Sequence, residues 1–96
     1  MTIEKNMQGT TMVMKVIGWL DTQTAPVLDQ EVNDLDDSVT DLVLDFSELE
    51  YISSAGLRTT VAAYKKMNGN MTLRNVSDEI MGIIRMTGID KRMKFE

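Results

Sequence analysis

The chain has 96 residues, 43% hydrophobic and 26% charged, which suits one globular domain (1–96) with a single core. It contains no Cys and no His, so disulfides, thiolate chemistry and the usual imidazole base are excluded, and a metal site would have only carboxylates to draw on. A net charge of −5 argues against nucleic acid, which needs a basic footprint.

No apolar run approaches the ~18 residues of a membrane span, and "MTIEKNMQGT" has no signal-peptide core. A cytoplasmic protein with no membrane contact is therefore expected. The charge is unevenly placed. Asp21 to Glu50 holds ten acids and no Lys or Arg, whereas Tyr51 to Glu96 holds eight basic residues and four acids. Such a balance permits a basic protein partner; the plainer reading is two solvated faces kept for solubility.

A first strand is expected near Ile3. "TTMVMKVIGWL" alternates apolar residues (Met12, Met14, Val16) and reads as a second strand. Thr24 fits an N-cap, with Pro26 in the first turn of a helix carrying Val27, Leu28, Val32 and Leu35 at helical spacing. That helix should end within the acidic "DLDDSVTD". "DLVLDF" is a short continuous apolar run, the pattern of a strand buried on both faces. "SELEYI" reads as a connection. Ser53 or Ser54 then caps a helix to about Met67, with Leu57, Val61 and Tyr64 on one stripe. "NGN" signals a turn, "MTLRNV" a strand, and Ser77 caps a last helix with Ile80, Ile83, Ile84 and Thr87 on one stripe. Gly88 sits where a C-cap belongs. Strands alternating with helices predict a mixed α/β sheet with helical cover.

The absent chemistry narrows the function. "ISSAG" matches the nucleophile elbow G-x-S-x-G only in its last three residues, since position 52 is Ile. No phosphate-binding G-x-x-x-x-G-K-[ST] or dinucleotide G-x-G-x-x-G occurs, and the carboxylates do not follow calcium-loop spacing. The chain is expected to be no enzyme, with no cofactor and no metal.

The serines of "YISSAGLR" have two readings. Structurally, either can cap the helix by accepting an orphan N–H, worth about 1 kcal/mol. Functionally, a helix start presents free N–H groups and partial positive charge, so a phosphate there is compatible with the fold. Yet a phosphate adds about −1.5 to −2 charges and strong hydration. On a docking surface, a loss of ~4 kcal/mol is a ~1000-fold weakening. Ala55 and Gly56 leave the hydroxyl accessible; their structural role is close packing of the helix start on the sheet.

Three blocks carry a family resemblance spanning nearly the whole chain: "GWLDTQTAPVL", "LVLDFSELEYISSAGLRTTVAAYK" and "IMGIIRMTGIDKRMKF". They resemble, respectively, the G-x-L-D-x-x-T-A segment, the phosphorylatable serine block and the closing L-x-x-T-G-[LI]-x-x-x-[FL] pattern of STAS domains. Among these the chain is most similar to the stand-alone bacterial anti-sigma factor antagonists. The resemblance implies a mostly parallel sheet with helices packed on one side and an N-terminal edge strand. It implies a partner that is both anti-sigma factor and serine kinase, bound when this protein is unphosphorylated and released on phosphorylation. It also implies a metal-dependent serine phosphatase that resets the switch. A monomer is expected. Alignment on Gly56-Leu57 makes Ser54 the expected phosphorylation site, with Ser53 the second choice. Asp21, Thr22, Asp45, Ser53, Ser54, Ala55, Gly56 and Arg58 are the implied partner-binding residues. STAS-like subunits of lipid-transport ATPase complexes, which use no phosphorylated serine, are the alternative; the intact "SSAGLR" argues against it.

Asp21 and Asp45 also have plain roles as a helix-start cap and a turn residue. Arg58, one turn beyond Ser54, can meet a partner carboxylate or a phosphate on Ser54, or simply be solvated. Trp19 is expected to be half-buried near the partner face, with core packing as its plainer role. Most of the nine Met fill the core; Met86 and Met93 are candidates for surface contacts.

Overall fold

The computed structural model describes residues 1–96. Strands β1 (Thr2–Gln8) and β2 (Thr11–Leu20) form an antiparallel hairpin, with Thr2 opposite Ile17 and Gln8 opposite Thr11. Helix α1 (Ala25–Asn33) leads to β3 (Asp41–Asp45), and β4 (Leu49–Ile52) runs into α2 (Ser54–Lys66). Then come β5 (Met71–Arg74), α3 (Asp78–Thr87), a 3-10 turn (Ile89–Lys91) and β6 (Lys94–Phe95).

The sheet order is β1-β2-β3-β5-β6, parallel from β2 onward, with β4 pairing in parallel to the far end of β2. β4 aside, each successive parallel strand (β3, β5, β6) is added on the same side of the last. Right-handed crossovers then place every helix on one face. The burial pattern agrees: Met14, Val16, Leu42, Leu44, Met71 and Leu73 join the helix residues Leu28, Val32, Leu57, Ala63, Ile80 and Ile84 in one core. No helix is long and apolar enough to cross a membrane.

Several expectations are corrected. "SELEYI" is not all connection: its last four residues are β4. Its burial pattern lacks alternation, with Leu49 and Ile52 buried and Glu50 and Tyr51 exposed, and it is a strand because it docks on β2 past a bulge at Gly18/Trp19. β3 is buried on both faces, as its apolar run predicts: Leu42 and Leu44 face the helices, and on the helix-free face Val43 is buried (7% exposed) beside its register partner Val13 (9%). On α1 the core residues are Ala25, Leu28 and Val32, while Val27 points to solvent; Thr87 is likewise exposed on α3. Met93 is buried in the core, whereas Met86 is 88% exposed. Thr24 occupies the N-cap position of α1, but its hydroxyl makes no cap bond. Gly88 does end α3, in the left-handed conformation at φ 77°.

α1 and α2 pack side by side. Lys66 of α2 donates its ammonium at 3.0 Å to the Val32 carbonyl, which also accepts the Leu35 N–H, and so ties α2 to the end of α1. The buried Thr60 hydroxyl donates to the Gly56 carbonyl at 2.9 Å, so this polar group costs no lost hydrogen bond.

Candidate functional site

The two serines divide into one locked and one free. Ser53 is the N-cap of α2: its backbone is extended (φ −95°, ψ 175°) and its Oγ accepts the Gly56 N–H at 3.3 Å. Its own N–H donates to the Leu20 carbonyl at 2.9 Å, and its carbonyl accepts the Leu57 N–H. Ser54 is the first helical residue, exposed, and its hydroxyl has no hydrogen-bond partner in the protein. The first turn of α2 has no acidic residue, whereas α3 begins with Asp78 and Glu79. The positive end of α2 is thus left without a local counter-charge.

Gly56 is buried because the start of α2 lies directly on the ends of β2 and β4, against Leu20 and Ile52. Ala55 and Arg58 flank it, half-buried and exposed respectively. Arg58 makes no ion pair and stands between two shallow grooves. One, about 490 Å³, includes Ser54, Leu57, Val61, Ile89 and Arg92; the other includes Thr22, Pro26, Ala55 and Thr59.

The turn after β2 is built on Asp21. Its Oδ1 accepts the N–H groups of Gln23 (3.0 Å) and Thr24 (3.1 Å), and its carbonyl accepts the Ala25 N–H. The Thr24 hydroxyl accepts the Asp21 N–H and donates back to the Trp19 carbonyl, both at 2.8 Å. The Thr24 N–H holds the Asp21 carboxyl below its ordinary range. Partial desolvation opposes this, while the Thr24 hydroxyl, the Gln23 N–H and the chain's amino-terminal charge assist it. Thr22 is left exposed at the tip of this turn.

The structure therefore brings together Asp21, Thr22, Ser53, Ser54, Ala55, Gly56 and Arg58. Asp45 is placed elsewhere. It ends β3, where its Oδ1 accepts the Ser47 N–H at 2.9 Å and the Asn75 side-chain amide at 3.3 Å. Burial pushes this carboxyl up, but those donors, helped by Lys15, outweigh burial and keep it below its ordinary range. No group of three or more acidic side chains is arranged to hold a metal ion.

Trp19 is partly buried, as expected, at 56% exposure; not expected is its contact with Tyr51 of β4, with ring centroids 5.2 Å apart and planes inclined at 46°. No sequence signal links the two, since the pairing depends on β4 docking beside β2.

The family model described as STAS domain matches residues 2–96. The anti-sigma-B factor antagonist of Staphylococcus aureus (strain NCTC 8325 / PS 47) is 29% identical over 97% of this chain and 90% of its own length. That of Bacillus subtilis is 28% identical over 79% of this chain and 72% of its own. Among solved structures, an anti-sigma factor antagonist from Mycobacterium paratuberculosis superposes with a TM-score of 0.87 at 29% identity, covering 98% of this chain and 83% of that one. The phosphorylated form of the Bacillus cell fate determinant SpoIIAA shares the fold, with a TM-score of 0.76 at 18% identity, covering 99% and 91%.

Proposed function

The chain belongs to the STAS domain family, and from that premise we propose that it is an anti-sigma factor antagonist controlled by phosphorylation of Ser54. The observation that carries this reading is the division of labour between the two serines. Ser53 spends its hydroxyl on the helix cap, and Ser54 presents an unpartnered hydroxyl at a helix start free of acids. The names of the relatives support the antagonist role.

In the unphosphorylated state the surface formed by Asp21, Thr22 and Ser53 to Arg58 binds an anti-sigma factor that is also a serine kinase. The protein is the kinase's substrate and catalyses nothing itself; ATP and its metal belong to the kinase. The γ-phosphoryl group passes to the Ser54 oxygen, which loses its proton. The resulting phosphoserine sits at the positive end of α2, so the fold tolerates it. In the complex the same phosphate must shed its hydration, so the partners separate. Hydrolysis of the phosphoserine by a metal-dependent serine phosphatase restores binding. The protein works as a monomer in the cytoplasm.

The test is intact mass and peptide mapping after incubation with the source organism's anti-sigma factor kinases, purified singly, and Mg-ATP. One phosphate, on Ser54, is expected. Phosphate on Ser53 would keep the switch and move the site. Neither phosphate nor binding with any kinase would overturn the reading and favour a STAS-type transporter subunit.

A further inference from the structure

The Trp19–Tyr51 pair is the largest aromatic surface the protein leaves in water. Trp19 is 56% and Tyr51 41% exposed, although the residues that follow them, Leu20 and Ile52, are fully buried. Trp19 and Tyr51 are register partners across β2 and β4, so both rings leave the sheet on the side away from the helices. Their positions are fixed by strand pairing and by the bond from the Thr24 hydroxyl to the Trp19 carbonyl. Paired exposed rings on rigid backbone contribute little to the core and lose little entropy when covered, which is the profile of a binding anchor.

Location and charge define what covers them. The rings lie at the carboxyl ends of β2 and β4, the end from which α2 starts. The Leu20 carbonyl, next to Trp19, accepts the Ser53 N–H, so a body docking end-on against Ser54 meets both features. Glu50, next to Tyr51, is exposed and has no ionic partner; Glu48 is held by Lys15 at 2.7 Å. The thirty residues from Asp21 to Glu50 contain ten acids and no Lys or Arg. An exposed aromatic face on so acidic a stretch of chain favours a cation carried on a hydrocarbon stem.

We infer that Trp19 and Tyr51 anchor the anti-sigma factor kinase on this protein, with an arginine or lysine side chain of that partner lying on the Trp19 ring. This inference rests on the antagonist reading above and adds a contact that Ser54 and its neighbours do not supply.

The experiment is calorimetric titration of the wild type and variants with the source organism's purified anti-sigma factor kinases, in low and moderate salt. Trp19→Ala should weaken binding by ~30-fold or more, the scale of an aromatic hot spot. Trp19→Leu, apolar but without a π face, should lose almost as much, and Trp19→Phe should recover most of the affinity. Glu50→Lys should slow association, most at low salt. Met7→Ala, an exposed apolar change at the opposite end of the β1–β2 hairpin, should change nothing. Circular dichroism and melting temperature should match the wild type throughout. A Trp19→Ala protein binding within threefold of the wild type, while the wild type binds, would overturn this inference and leave the antagonist reading intact. Affinity kept by Trp19→Leu would overturn the cationic contact. A wild-type dimer abolished by Trp19→Ala would assign the rings to a second copy of the chain instead. A wild type that binds no kinase would overturn the antagonist reading together with this one.

Discussion

Gly56 lies so close to Leu20 that a β-carbon added to it would stand 2.7 Å from the Leu20 carbonyl oxygen and 2.9 Å from the Leu20 Cγ. The nearest obstacle is backbone, held in place because the same carbonyl accepts the Ser53 N–H. Gly56→Ala must therefore push the start of α2 off the sheet. Overpacking of this kind costs about 1–3 kcal/mol, more than the ~1 kcal/mol gained in helix propensity. We expect a lower melting temperature, by ~4–8 °C per net kcal/mol lost, and weaker kinase binding, because the serine turn moves as well. Thermal unfolding and titration calorimetry check both.

Removing each serine separately should split stability from switching. Ser53→Ala removes the cap on Gly56 N–H and should destabilise by about 1 kcal/mol while leaving Ser54 open to phosphate. Ser54→Ala, at an exposed unbonded hydroxyl, should stay within about 0.5 kcal/mol of the wild type and abolish phosphate uptake. Ser54→Glu should fold normally and bind the kinase poorly. Urea unfolding and intact mass distinguish the three.

Asp21 links the serine region to pH. Its folded-state carboxyl titrates below the ordinary carboxylate range, so it stabilises the fold at neutral pH, above its unfolded value. That contribution is lost as pH falls through the folded value. Asp21→Ala should therefore be less stable than the wild type at pH 7, and the difference should shrink steadily under acid. Urea titrations of both proteins across that range provide the check, and a gap that stays constant with pH would exclude the carboxylate as its source.

Much of the fold was legible because local and global signals agree. The period-2 apolar pattern of β2, the apolar run of β3 and the helix termini at Ser77 and Gly88 each recur in the structure. β4 was not legible, because Leu49 and Ile52 are spaced by three and only the docking on β2 makes the segment extended. The choice between Ser53 and Ser54 as cap also lay outside the pattern, since both are good cap residues and the extended backbone of Ser53 decides it. Asp45 lies next to the serine block in sequence, yet its carboxylate serves a turn with Ser47 and Asn75, a contact thirty residues away. The surroundings of Trp19 and Met93 likewise depend on segments distant in sequence.

β2 is bracketed along its length, by β1 on Thr11–Ile17, by β3 on Thr11–Lys15 and by β4 on Gly18–Leu20. No partial opening frees it, so its central amides should trade hydrogen for deuterium only through global unfolding, while those of the edge strand β1 fray. The Ser53 amide, donating to the last residue of β2, is moored to this slowest-breathing part of the molecule. A kinase therefore meets a rigid target in which the acceptor hydroxyl needs no prior ordering. Phosphate arriving there alters the surface without loosening the frame behind it, so amide protection along β2 should be the same before and after modification.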